Sequence, residues 1–153
     1  MIGRCWKKYL WTALLAACLA LIWGNSMLPS SQSRQISDGL WQHIPFLPEF
    51  LGEYGPKLIR KAAHFAEFAC LGFLLAGSFR AWGRTPVLPA ALWGLLSACV
   101  DETIQIFSPG RASRLTDVWI DFAGILTGIF LLHLGHILWK KTRKTKHSEE
   151  KMI

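Results

Sequence analysis

Long apolar stretches alternate with short polar segments along this chain. Four stretches carry few charged residues over about the 20 residues that a membrane-spanning helix needs. They predict spans at about residues 9–27, 62–79, 85–107 and 118–139. Four helices are the economical interpretation, because an open strand cannot satisfy its backbone polar groups in lipid. The pattern therefore predicts an all-α fold, a polytopic four-helix bundle in a membrane.

The polar segments divide the rest of the chain. Residues 1–8 form a short basic N-terminus, residues 9–139 the membrane domain and residues 140–153 a basic tail. The one long connection, residues 28–61, is rich in turn residues but also holds apolar positions. Two alternatives are open for it, a short helix lying on the membrane over about Ser37–His43, and an irregular loop.

The distribution of charged residues along the chain predicts how the helices are oriented in the membrane. Hydrophobic residues make up 52% and charged residues 18% of the chain, and the net charge is +7. If the N-terminus lies inside, the cytoplasmic side carries 11 basic and two acidic residues, and the other side six basic and eight acidic residues. The positive-inside rule then places both termini in the cytoplasm and residues 28–61 outside. We therefore expect the basic tail to contact membrane lipids and expect no nucleic-acid partner.

The N-terminus also has features of a secreted protein. Arg4, Lys7 and Lys8 precede the first apolar stretch as in a signal peptide, and Leu15–Cys18 has the form of a lipoprotein cleavage box. Because the apolar stretch continues beyond Cys18 to Trp23, we expect the first helix to be retained.

Ionisable residues within the predicted spans are concentrated at one depth, below the predicted outer surface. Such residues are costly in a membrane and usually mark a functional site or an internal ion pair. Members on one helix are mostly three or four residues apart, so they share a face, which should point into the bundle. We expect His64 to contact an acid, either Glu67 or Asp101. The candidates for a binding site or polar cluster are Arg60, Lys61, His64, Glu67, Asp101, Glu102, Gln105, Arg111, Arg114, Asp117 and Asp121.

Two glycines extend the polar face of the last helix. Gly124 and Gly128 follow Asp121 by three and seven residues. Small residues at this spacing let two membrane helices approach closely. The contact could be internal to the bundle or could form a homodimer.

Arg111 and Arg114 lie between the third and fourth spans, just after a Pro-Gly turn. They precede a helix N-terminus, where free N–H groups favour anions. A guanidinium fork suits a phosphate or a carboxylate. The alternative is that both arginines only neutralise the nearby acids.

Several segments resemble one known family. The string RKAAHFAEFACLG, Arg60–Gly72, looks like the second-helix motif of VanZ-like membrane proteins, and DETIQIFSPGR, Asp101–Arg111, is similar to their Asp-Glu-x-x-Gln-x-Phe-x-Pro-Gly-Arg motif. Ser30–Gln32 and Asp117–Gly128 resemble two further family segments, in the same order. The resemblance covers about residues 25–130.

The resemblance implies a small multi-pass protein of the bacterial cell membrane. The founding member of the family is linked to low-level resistance to the glycopeptide antibiotic teicoplanin. Two positions depart from the family pattern, since Ile104 stands where many members have His and Asp121 where many have Asn. These departures weaken any transfer of catalytic detail, especially of a metal site that uses that His.

Three functions remain open from the sequence. The first is a site for an anionic, lipid-linked molecule of the cell envelope at the outer leaflet. The second is an intramembrane transferase or hydrolase, with His64 as a base or with Asp101, Glu102 and Asp121 around a divalent cation. The third is a structural membrane subunit whose polar network only fixes helix packing.

The sequence gives the enzyme hypothesis little support. It contains no signature motif of the familiar metalloproteases, serine hydrolases or P-loop proteins. His133 and His136 are three residues apart, but no acid or Cys lies near them in sequence to complete a metal site. We therefore favour a non-enzymatic protein, assign no catalytic residue, and expect neither a metal nor a cofactor.

Overall fold

The computed structural model describes residues 2–42 and 54–149, with side-chain surroundings for residues 6–39 and 54–143. These residues form helices and no strand. Four of the helices, α1, α3, α4 and α5, are long and apolar enough to cross a membrane. The prediction of an all-α polytopic bundle is confirmed. The helices are α1 (Ile2–Met27), α2 (Ser30–Gln42), α3 (Gly55–Ala81), α4 (Val87–Phe107) and α5 (Leu115–Glu149).

The α3–α5 interface is the most extensive in the described structure. Gly124 and Gly128 of α5 both face α3 without space for a side chain. A Cβ atom at Gly124 would overlap the carbonyl oxygen of Phe65, and one at Gly128 would overlap that of Ala69. The glycine face predicted from the sequence is therefore an internal helix contact, and α3 covers the surface that the homodimer alternative required.

The apolar core surrounds this contact, and large apolar side chains also cover the outside. Phe68, Leu71 and Ile125 are fully buried in a core to which all four long helices contribute. Leu21 and Phe107, by contrast, are 74% and 83% exposed. Outward apolar side chains on all four long helices are what a bundle surrounded by lipid requires.

Residues 30–42 correct the sequence prediction. They form α2, so the irregular-loop alternative is wrong for them, and the helix begins seven residues before the short one considered. His43 lies outside the described residues. Among residues 30–39, whose surroundings are described, Ser30, Ser33 and Ser37 are buried, while Ile36 is 56% exposed. Hydrophobic periodicity did not indicate the first half of this helix, because its buried residues there are serines.

Helix α3 also begins earlier than its apolar stretch, at Gly55 rather than at residue 62. Pro56 occupies the first turn, where its fixed φ angle and missing N–H suit a helix start. The added turns carry Lys57, Arg60 and Lys61. These cations are therefore held on a helix rather than on a loop.

The glycine contact can be tested by adding one methyl group. We expect Gly128→Ala to lower the free energy of unfolding by about 1–3 kcal/mol, because the new Cβ overlaps the α3 backbone. The control is Gly135→Ala, on the same helix, where no atom lies within 4 Å of the added Cβ. Thermal unfolding in detergent measures both. Equal stability of the two variants would contradict the close contact.

Candidate functional site

A cavity of about 310 Å³ opens where the N-terminal ends of α3 and α5 meet the C-terminal end of α4. Every member of the predicted polar cluster lines it except Glu67 and Asp101. Lys57, Lys61 and Arg114 are exposed, whereas Glu102 and Asp121 are buried. The cavity thus has a basic rim and an acidic floor. Its lining consists of Lys57, Arg60, Lys61, His64, Glu102, Gln105, Gly110, Arg111, Ala112, Arg114, Asp117, Ile120 and Asp121.

Two floor residues, His64 and Asp121, lie close to Asp101, a neighbouring residue that does not itself line the cavity. Nδ1 of His64 on α3 lies 3.9 Å from Oδ1 of Asp121 on α5. Asp101 on α4 completes the group, and the three side chains offer ligand-type atoms that all lie within 4.8 Å of one another. His64 therefore approaches an acid, as expected. The acid within ion-pair distance is Asp121 rather than Glu67 or Asp101, because the glycine contact draws α5 against this part of α3.

Glu67 has a different neighbour. Its Oε1 accepts a hydrogen bond from Nδ2 of Asn25 at 3.2 Å, so it faces α1. Asn25 is a neighbour of the cluster that was not among the residues predicted from the sequence. The available signal was its amide, which is the first strongly polar side chain after a long apolar stretch.

Arg111 binds the end of α1. Its Nε donates to the carbonyl oxygen of Leu28 at 3.0 Å, and its Nη2 donates to that of Asn25 at 2.9 Å. Last-turn carbonyls lack helical partners, so this guanidinium caps α1. Nη1 is buried and has no hydrogen-bond partner among the described residues. The Arg111 guanidinium was expected to bind an anion or to neutralise acids, but two of its three nitrogens donate to backbone carbonyls.

Electrostatics at Arg111 are mixed. Burial lowers the pKa of its guanidinium most, the nearby Arg60 lowers it further, and Asp101, Glu102 and Glu67 raise it. Since the pKa of an arginine starts far above physiological pH, the side chain keeps its charge. One buried cation is thus shared by three carboxylates and two carbonyl groups.

The loop before α5 is fixed by further contacts. Ser108 Oγ donates to the carbonyl oxygen of Ser26 at 2.7 Å, and the N–H of Ser30 donates to that of Pro109 at 3.1 Å. Glu102 accepts from the backbone N–H of Arg114 at 2.9 Å. The Arg114 side chain is exposed at the rim.

Two further contacts join members of the predicted polar cluster. Lys61 forms an ion pair with Asp117 at 3.4 Å, with the two side chains 49% and 31% exposed. Gln105 donates from Nε2 to Oδ2 of Asp101 at 2.8 Å. His133 and His136 lie in the C-terminal half of α5, three or more turns from Asp121, and do not line the cavity.

Comparison with known families agrees with the motifs. A family model described as VanZ/LLP1 matches residues 10–138, most of the chain. The chain belongs to the VanZ/LLP1 family. No match was found among curated proteins or among solved structures. The VanZ/LLP1 match includes the larger part of each of the four long helices and the whole cavity lining.

The geometry at Arg111 predicts a structural effect of a charge-preserving change. Arg111→Lys should lower the free energy of unfolding by about 1.5–3 kcal/mol, because one ammonium cannot reproduce the planar pair of charge-assisted bonds to Leu28 and Asn25. Arg114→Lys, in the same loop but with an exposed side chain, is the control and should change stability by less than about 0.5 kcal/mol. Thermal unfolding in detergent tests this, and an Arg111→Lys protein as stable as the control would refute the capping role.

Proposed function

We propose that this VanZ/LLP1 protein lies in the bacterial cell membrane and binds the anionic head group of a lipid-linked cell-envelope molecule at its cavity. The observation that carries the proposal is the basic rim of a cavity open at one end of the bundle. A phosphate or carboxylate could enter there while its lipid chain stays between the helices and the bilayer.

The rim retains cations that internal contacts do not neutralise. Lys61 is paired with Asp117, and Arg111 is bound to the end of α1. Lys57, Arg60 and Arg114 form no ion pair with any residue that the structure describes. Three cations around one opening favour an anionic partner, since charge-assisted hydrogen bonds are stronger than neutral ones.

The cavity also argues against a purely structural network. Buried polar groups that only hold helices together normally pair with one another. Here both carboxylate oxygens of Asp121 and Nη1 of Arg111 lack hydrogen-bond partners among the described residues. Unpaired groups beside a cavity favour a bound ligand over a closed packing cluster.

Orientation is part of the proposal, since an envelope molecule must reach the cavity from outside. In a cysteine-free background, we expect Ser31→Cys, exposed on α2, to react with a membrane-impermeant maleimide on intact cells. Lys146→Cys, in the basic tail at the end of α5, should react only after permeabilisation, because the basic residues are concentrated on that side. Labelling of residue 146 on intact cells would place the cavity on the cytoplasmic side and overturn the proposal.

The anion site is tested with farnesyl phosphate, a short lipid phosphate, and with uncharged farnesol as the control ligand. We expect Arg60→Gln to weaken farnesyl phosphate binding to the purified protein about ten- to hundredfold, because one charge-assisted contact is lost. Arg84→Gln, an exposed position in the α3–α4 turn, removes the same charge away from the cavity and should not weaken binding. Equal binding of farnesol, or an equal loss in both variants, would contradict a phosphate site.

The family link to teicoplanin supplies a cellular readout of the same variants. In a host where the wild-type protein changes teicoplanin susceptibility, Arg60→Gln should abolish that change while Arg84→Gln preserves it. Membrane abundance is measured alongside, because a loss of protein would imitate a loss of function. Full activity of Arg60→Gln at normal abundance would argue against a role for the rim.

A second candidate is an intramembrane hydrolase or transferase acting on the same head group. The observation that favours it is the approach of His64 to Asp121 and Asp101 at the cavity floor, where an imidazole and carboxylates could handle protons. Release of inorganic phosphate from farnesyl phosphate by wild type, but not by His64→Gln, would support the enzyme. Binding without turnover would support the binding protein.

A further inference from the structure

Asp121 is a buried carboxylate without a sufficient partner. Its side chain is 1% exposed, and neither oxygen accepts a hydrogen bond from any described residue. The nearest base, Nδ1 of His64, lies at 3.9 Å, beyond hydrogen-bond distance. An ionised carboxylate in this environment is strongly unfavourable unless a proton or a metal ion binds to it.

The surrounding charges increase this deficit. The strongest electrostatic influences on Asp121 come from other carboxylates, those of Asp101, Glu102, Asp117 and Glu67. No cation is among the main influences on Asp121, since Lys61 pairs with Asp117, and Arg111 donates to two backbone carbonyls and acts on Asp101, Glu102 and Glu67. The floor of the cavity therefore attracts a cation, although its rim is basic.

The groups around Asp121 have the composition of a metal site. His64, Asp101 and Asp121 each present one ligand atom, and these atoms lie within 4.8 Å of one another. Ligands placed about 2.1 Å from a tetrahedral ion are about 3.4 Å apart, so small side-chain rotations would suffice. Gln105 donates to Oδ2 of Asp101 at 2.8 Å, as residues beyond the ligands commonly do to hold a ligating carboxylate.

We propose that His64, Asp101 and Asp121 bind a divalent metal ion at the floor of the cavity. One imidazole nitrogen and two carboxylate oxygens suit Zn²⁺ or a neighbouring transition metal better than Mg²⁺. Because His64 and Asp121 line the cavity, a further coordination position would face its interior. This site departs from the sequence expectation of no metal, since its ligands come from three helices and form no local motif.

The proposal does not depend on the anion site at the rim. A metal ion here would supply a positive charge that an anion could contact, but its binding is testable without any lipid. If the protein did not bind farnesyl phosphate, the metal-site proposal would still stand. If it bound no metal, the anion-site proposal would still stand.

The experiment titrates Zn²⁺ into the full-length protein, purified in detergent and stripped with a chelator, by calorimetry. We expect one high-affinity ion per chain. Asp121→Asn, which keeps the shape of the side chain, should weaken binding by more than about a hundredfold, beyond the 10- to 100-fold typical of a residue outside the ligand shell. Co²⁺ added to the same proteins should give the visible absorption of a nitrogen- and oxygen-bound ion only where Asp121 is intact.

Two controls separate this site from other zinc-binding groups. Asp117→Asn removes a cavity carboxylate one turn from Asp121 on α5 but outside the trio, and should change affinity by less than about threefold. His136→Gln tests the histidines in the C-terminal half of the same helix and should have no effect.

Folding of the variants is checked by thermal unfolding. Asp121→Asn should be at least as stable as the stripped wild type, because it removes an uncompensated buried charge. Zn²⁺ should raise the unfolding temperature of wild type and not of Asp121→Asn. The proposal is overturned if stripped wild type binds no Zn²⁺, if Asp121→Asn binds it equally well, or if His136→Gln abolishes binding.

Discussion

The close approach of α5 to α3 determines the rest of the site. Gly124 and Gly128 bring the two backbones together at Phe65 and Ala69, with no side chain between them. Asp121 lies one turn before Gly124 on the same face, so the contact carries its carboxylate to His64, the residue before Phe65. A bulkier residue at either glycine would separate these groups. Helix packing and cavity chemistry are therefore consequences of one contact.

A second set of contacts joins the wall of the cavity to the end of α1 and the start of α2. Arg111 and Ser108, in the connection between α4 and α5, bind backbone carbonyls at the end of α1. The N–H of Ser30, at the start of α2, donates to Pro109 in return. The Pro-Gly-Arg turn is thus a structural clamp as well as part of the site. An effect of an Arg111 variant on function cannot be separated from stability unless both are measured.

The sequence predicted this architecture wherever the information was carried by hydrophobicity or by spacing along one helix. Apolar length identified the four long helices, and the i, i+4 spacing identified faces that do meet in the cavity. It offered only a short helix starting at about Ser37 as one alternative for α2 and placed its start seven residues too late, because the buried Ser30 and Ser33 carry no apolar signal. It also missed the partners of His64 and Arg111, which lie on other helices. Spacing places a residue on a face, but it does not determine which neighbouring helix that face meets.

The charges around the cavity are nearly balanced in number but separated by depth. Arg111 is the most buried cation, and its hydrogen bonds go to backbone carbonyls rather than to acids. Arg60 and Arg114 remain at the rim, while Asp121 at the floor and the adjacent Asp101 are almost completely buried. Such a separation is costly in a membrane, because Arg60 and Arg114 form no ion pair with any acid that the structure describes. An anionic head group at the rim and a cation at the floor would each remove part of that cost. Because the two would attract one another, binding of either should favour binding of the other.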